Sequence, residues 1–152
     1  MFLPTVIIRH RKENLKKCSL RGLEGREDMR FYTYPQQQPP FFSAHLLLTM
    51  DGPPLTAADK SLGLCLVDGT WRYAARMIRQ WAHLLPVERR SLPVGYRTAY
   101  PRCQEECPYP EWGLASVEAL YLAYMILGRP TQGLLDHYHW RDLFLHKNGL
   151  ST

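Results

Sequence analysis

The stretch that most restricts how this chain can fold is Leu64-Cys65-Leu66-Val67, followed at once by Asp68-Gly69-Thr70-Trp71. Four consecutive apolar residues bounded by a turn signal predict a short buried strand. Thr70 is a helix-capping residue type. Beyond it, Trp71, Ala74, Ala75, Ile78, Trp81, Ala82 and Leu85 repeat at the i, i+3, i+4, i+7 spacing of an amphipathic helix. Arg72, Arg76 and Arg79 form a basic row on its other face. In open α/β sheets, ligands sit in the crevice beyond the carboxyl ends of strands, beside helix N-termini. Asp68 to Trp71 is therefore where a site is expected.

The rest of the chain extends this unit. Pro4 to Arg9, Met29 to Tyr34 and His45 to Thr49 are rich in β-branched, aromatic or aliphatic residues and predict three more strands. Pro35 to Pro40 is a breaker. Thr56 and Asp59 predict a short helix over Ala57 to Leu62, and Arg89 to Leu92 a last short strand. A helix is expected over Val117 to Leu127 with Ser116 as its N-cap, stopped by Gly128-Arg129-Pro130. Thr131 is expected to cap a final helix to about Lys147, with His137 and His139 on different faces. Between these lies the stretch 95–113, rich in proline and aromatic residues and without periodicity. Loops of that length in compact domains tend to be functional or disordered. Strands alternating with helices imply crossovers, hence an α/β fold with a mostly parallel sheet flanked by helices.

At 152 residues the chain is the size of one domain. Nineteen Lys and Arg against fourteen Asp and Glu leave a net charge of +5, a mild excess compatible with polyanions such as RNA and common without them. No run reaches transmembrane length and no secretory pattern stands at the start, so no membrane partner is expected. The four cysteines then read as reduced thiols of a cytoplasmic protein. Cys103 and Cys107 lack a second Cys/His pair at finger-like spacing, and no metal is expected. Neither GxGxxG nor GxxxxGK[ST] occurs, which argues against nucleoside triphosphate chemistry.

Two readings of Asp68 stand side by side. Such an acid is commonly a cap or turn former. Alternatively, partial desolvation beside Trp71 raises its pKa and makes it a general base. Trp71, which begins the apolar stripe, reads first as a core residue, although a tryptophan at a first helical turn can also form one wall of a pocket. Arg72, Arg76, Arg79, Arg97 and Arg102 are either a solvated face or a phosphate-contacting one. The tyrosines interleaved with arginines over 96–109 allow base stacking.

Three blocks in order carry a resemblance. Lys16-Lys17-Cys18-Ser19 resembles the KKC[ST] segment of the small-subunit rRNA aminocarboxypropyltransferases. Val67-Asp68-Gly69-Thr70-Trp71 resembles a D-x-[TS]-W signature, closer in detail to the DTW-domain tRNA-uridine aminocarboxypropyltransferases. Leu92-Pro93, Tyr96-Arg97 and Leu114 to Ala119 resemble the close of the same superfamily. The resemblance implies a single domain, with residues 1–55 as an N-terminal lobe and 56–152 as a SPOUT-like S-adenosylmethionine-binding part with a C-terminal trefoil knot. The implied reaction moves the 3-amino-3-carboxypropyl group to N3 of a uridine or pseudouridine in rRNA or tRNA, releasing methylthioadenosine. It makes Asp68 the base and sets Trp71 against the sulfonium. It gives Ser19 the amino-acid end of the cofactor and lets Val67, Tyr96, Leu114, Ala115 and Ser116 line the nucleoside. RNA would meet Arg72, Arg76, Arg79, Arg97 and Arg102. A SPOUT-type RNA methyltransferase, a non-catalytic rRNA-binding assembly factor and a protein-interaction domain are the competing readings.

Overall fold

The computed structural model describes residues 2–15, 18–101 and 113–150. Five strands form one sheet: β1 (Thr5–His10), β2 (Met29–Tyr34), β3 (His45–Leu48), β4 (Gly63–Asp68) and β5 (Glu88–Arg90). Their order is β2-β1-β4-β3-β5 and every pairing is parallel. Helix α1 (Trp71–Gln80) joins β4 to β5, while α2 (Ser116–Leu127) and α3 (Arg141–Lys147) follow the sheet.

Alternation along the central strands explains the layers. Ile7, Leu46, Leu64 and Leu66 face one side and pack with Val117, Leu120, Tyr124 and Leu127 of α2 and Phe144 of α3. Val6, Ile8, Leu47 and Cys65 face the other side and pack with Met77 of α1, Leu85 and Tyr34. Both faces of the sheet are thus covered, as parallel sheets require. Among the described residues no helix is long and apolar enough to cross a membrane.

From β1 the chain departs toward β2, whereas from β4 it departs the opposite way, past β3 to β5. The topological switch point lies between β1 and β4, where open α/β sheets place ligands beyond the strand ends. The parallel register sets Arg9 beside Asp68 at that point.

Several local expectations are corrected. Residues 57–62 form only a 3-10 turn, Ala57–Asp59, capped by Thr56. Helix α1 stops at Gln80 instead of running on to Leu85; turns follow over 81–84, and Pro86 disfavours helical backbone at Leu85. The last strand is Glu88–Arg90, one residue earlier at its start and two shorter at its end. Ser116 is the first residue of α2 and not its cap; Ala115 holds the cap position with extended backbone. The helix expected from Thr131 is a string of turns through Trp140, and only Arg141–Lys147 is helical. Gly133 adopts φ +83°, a left-handed conformation that interrupts a helix at its first turn.

Candidate functional site

Beyond the carboxyl ends of β3, β4 and β5 lies a cavity of about 850 Å³. That is within the range of pockets that enclose a small organic ligand. Leu48 and Val67 form its floor at the strand ends, Trp71, Ala74 and Ile78 of α1 one wall, and Leu92, Tyr96 and Leu114 another. Trp71, Ala74 and Ala75 of the apolar stripe of α1 face this space, whereas Ile78 lines it and also packs on the core with Trp81. Met77 is the one fully buried residue of that helix. Thr70 caps α1 as expected, its Oγ1 accepting from the Tyr73 amide at 3.4 Å.

Asp68 lies behind the cavity, 4% exposed. Its Oδ1 accepts the Ser116 hydroxyl at 2.7 Å, and Ser116 itself lines the cavity. Its Oδ2 accepts from the Cys18 thiol at 3.3 Å and pairs with Arg9 Nε at 3.4 Å. Burial works against the Arg9 charge, but Cys18, Asp68 and Glu24 around it outweigh that and hold the guanidinium above its ordinary pKa. Burial first, and then the Asp68 charge, push the Cys18 thiol up to about 12. Cys18 is accordingly a proton donor at neutral pH and not a nucleophile. Glu13, Cys18 and Asp68 bring three potential ligand atoms within 4.8 Å of one another. The Arg9 guanidinium already pairs with the Asp68 carboxylate of that set.

The start of α2 is held from two directions. Ser19 Oγ accepts from the Val117 amide at 3.1 Å, so a serine 98 positions upstream supplies the cap that Ala115 cannot. Glu118, fully buried, accepts four hydrogen bonds. Thr98 Oγ1 at 2.7 Å and the Ala115 amide at 2.8 Å reach one oxygen; the Ala99 amide and the Tyr138 hydroxyl, both at 2.9 Å, reach the other. This carboxylate ties the 96–99 segment to the residues that precede α2, and with them two edges of the cavity.

Of the residues expected at the site, Val67, Trp71, Tyr96, Leu114 and Ser116 meet around the cavity. Ala115 is buried behind it, and Ser19 turns to α2 and to a smaller neighbouring pocket. The side-chain partners of the Asp68 carboxylate are Arg9, Cys18 and Ser116. Arg72, Arg76 and Arg79 are exposed along α1. Arg97 is exposed too, its amide donating to Asn148 Oδ1 at 2.7 Å. Arg102, with Cys103 and Cys107, lies outside the described residues, as do Lys16 and Lys17. Arg9, Cys18 and Glu118 were not expected as functional positions. An arginine ending a Val-Ile-Ile strand was the available signal for the first, since a buried charge needs a partner.

The chain is an α/β fold with a five-stranded parallel sheet, helices on both faces and a ligand-sized cavity beyond the carboxyl ends of β3, β4 and β5, the end of such sheets where small molecules bind. The solved structure it resembles is that of the SAM-dependent rRNA:acp-transferase Tsr3 from Vulcanisaeta distributa. The TM-score is 0.68 at 21% identity, over 97% of this chain and 79% of that one. The two share a fold. No protein-family model matches the chain, and no curated protein matches it.

Proposed function

We propose that the chain is an S-adenosylmethionine-dependent aminocarboxypropyltransferase acting on N3 of a uridine or pseudouridine in RNA. The observation that carries this reading is the 850 Å³ cavity with a hydroxyl-linked carboxylate, Ser116 to Asp68, at its edge. The fold shared with Tsr3 supports it. The knotted C-terminal threading implied by the sequence resemblance belongs to the same proposal.

The cavity fits such a cofactor. Its apolar walls suit an adenine and the alkyl groups of a sulfonium, and its volume suits a ligand of that size. When bound, the cofactor supplies an electrophilic carbon: the N3–carbon bond forms as the carbon–sulfonium bond breaks, and the electron pair leaves on sulfur as methylthioadenosine. Trp71 offers an aromatic face to a sulfonium, an attraction of about 0.5–2 kcal/mol. Holding one of three carbons in line with the incoming nitrogen is a positioning task, which Leu92, Tyr96 and Leu114 perform by fixing the nucleoside end. The proton leaving N3 passes to the Ser116–Asp68 pair: the serine hydroxyl takes it while its own proton crosses the hydrogen bond to Oδ1, the two oxygens being 2.7 Å apart. Arg9 and Cys18 hold the carboxylate in place from behind.

Mass spectrometry of nucleosides from rRNA and tRNA of cells lacking the protein tests the reaction. Loss of an aminocarboxypropyl nucleoside from one pool is expected. Loss of a methylated nucleoside, with adenosylhomocysteine as the product in vitro, would make the protein a methyltransferase. An unchanged pool together with no cofactor binding in calorimetry would leave an assembly factor or an interaction domain.

The exposed row Arg72, Arg76 and Arg79 is the proposed contact for RNA phosphates, together with Arg97 and Arg102. Each neutralised phosphate contributes about 0.7–0.9 to the slope of log affinity against log salt. Replacing the three α1 arginines with alanine is expected to reduce that slope by about two to three while leaving cofactor affinity unchanged. An unchanged slope in filter binding at several salt concentrations would remove α1 from the RNA-contacting surface.

A further inference from the structure

We propose that residues 92–96 form a strap that folds down on the bound cofactor, and that Val94 at its tip is a further contact for it. The proposal rests on the reading that the cavity holds S-adenosylmethionine.

Both ends of the strap are clamped. Ser91, which follows β5 directly, donates its amide to the Pro53 carbonyl at 2.8 Å and its hydroxyl to the Gly52 carbonyl at 2.6 Å. Its own carbonyl accepts the Leu55 amide at 2.7 Å. The main chain at Gly52 runs so close to β5 that a Cβ there would lie 2.7 Å from the Arg89 carbonyl carbon. At the other end Asn148 grips Arg97 twice, accepting its amide at 2.7 Å and donating to its carbonyl at 2.9 Å. Lys147 Nζ donates to the next carbonyl, that of Thr98, at 3.0 Å.

The stretch between these clamps is held differently. Among the described residues, none of 92–96 makes a backbone hydrogen bond to another element. Leu92 and Tyr96 pack against the core, whereas Val94 stands 99% exposed. Gly95 beside it has φ +108°, and a Cβ there would meet nothing within 4 Å. A free tip between two fixed points turns about the line that joins them. So short a span keeps the tip near the mouth of the cavity wherever it turns.

All five residues border the cavity, and so does Met50, 50% exposed. In the empty protein the isopropyl group of Val94 stands in water. Turned inward over an occupied cavity, it buries apolar surface against the ligand, which drives closure. Over an empty cavity the same turn meets no packed neighbour, so the strap stays open until a ligand arrives. The tip Pro93-Val94-Gly95 carries no charge and suits the adenine or the alkyl groups of the cofactor, not its amino-acid end. Loops that close over a bound substrate sequester it in this way. Because closure follows binding, it slows release and leaves entry unchanged.

The test is S-adenosylmethionine titrated into the isotope-labelled full chain, with affinity from calorimetry and rates from stopped-flow tryptophan fluorescence. Saturation is expected to shift the Val94 methyl signals and to slow exchange of the Val94 and Gly95 amides at least about tenfold. Val94→Ser should weaken binding about tenfold, wholly through faster release. Val94→Ile keeps an apolar tip and should bind as the parent does. The melting temperature of ligand-free Val94→Ser should stay within about 1 °C of the parent. A larger fall would show that the tip already packs, and overturns the strap. So does parental affinity in Val94→Ser, or a loss that lies in slower entry. Binding of S-adenosylmethionine with no change at Val94 and Gly95 overturns the strap and leaves the transferase reading standing. Absence of binding sinks both, since the strap then has no cofactor to close on.

Discussion

Glu118→Gln is expected to lower the melting temperature by roughly 6–12 °C, although it changes no more than one oxygen to an amide nitrogen. The reason is the symmetry of what surrounds the carboxylate. Each oxygen accepts one hydroxyl and one backbone amide: Thr98 and Ala115 on one, Tyr138 and Ala99 on the other. Whichever way the glutamine amide is turned, its NH2 group faces a backbone N–H. A hydroxyl can rotate to accept from it; a backbone amide cannot. One buried donor is therefore left unmet and repelled, and two charge-assisted bonds are lost, a cost of about 3 kcal/mol. In a chain of 152 residues each kcal/mol moves the midpoint by about 2–4 °C. Because the same bonds hold the segments carrying Tyr96 and Leu114, ligand affinity should fall together with stability. A variant melting within about 2 °C of the parent would show that the buried network does not hold these segments.

Ala74→Trp is expected to abolish cofactor binding without lowering stability. Ala74 is half-buried on the α1 wall, and its methyl group points into the cavity. An indole placed there occupies space that the core does not use, so no packed neighbour is displaced, in contrast to overpacking in a filled interior. Affinity for S-adenosylmethionine should drop at least about 100-fold, or about 2.7 kcal/mol, by calorimetry, with the melting temperature unchanged or raised. Retention of wild-type affinity would mean that the ligand sits elsewhere. A fall in the melting temperature of the size expected for Glu118→Gln would mean that this face of α1 is packed after all.

What the residues disclosed in advance follows a physical line. Strands β1 to β4 were legible because both faces of a parallel sheet are covered, so Val6-Ile7-Ile8 and Leu64-Cys65-Leu66 are continuous apolar runs with no competing pattern. The capping role of Thr70 is local chemistry and was legible for the same reason. Ser116 shows the opposite case. A serine before an apolar run reads as a cap, yet its hydroxyl goes to Asp68, 48 positions away, and Ser19 supplies the cap from still farther. Periodicity predicted the apolar face of α1 correctly but could not say whether core or cavity lies against it. Asp68 was ambiguous for the same reason: its partners Arg9, Cys18 and Ser116 come together only once β1 and β4 pair. The helix expected from Thr131 to about Lys147 forms only from Arg141, because the left-handed backbone of Gly133 interrupts it at its first turn, and a single glycine does not announce its φ in the sequence.

The division of helix α1 between core and cavity has a dynamic consequence. Met77 packs into the core, Tyr73 stacks on His10 with ring centroids 4.0 Å apart, and the edge formed by Trp71, Ala74 and Ala75 meets open space. A helix anchored along one edge opens locally at a lower free energy than the sheet it rests on. A ligand that fills the cavity supplies the missing apolar contact, and its binding energy adds directly to the cost of opening α1. The bound small molecule then behaves as a detachable piece of hydrophobic core, and amide exchange along α1 becomes a gauge of its occupancy.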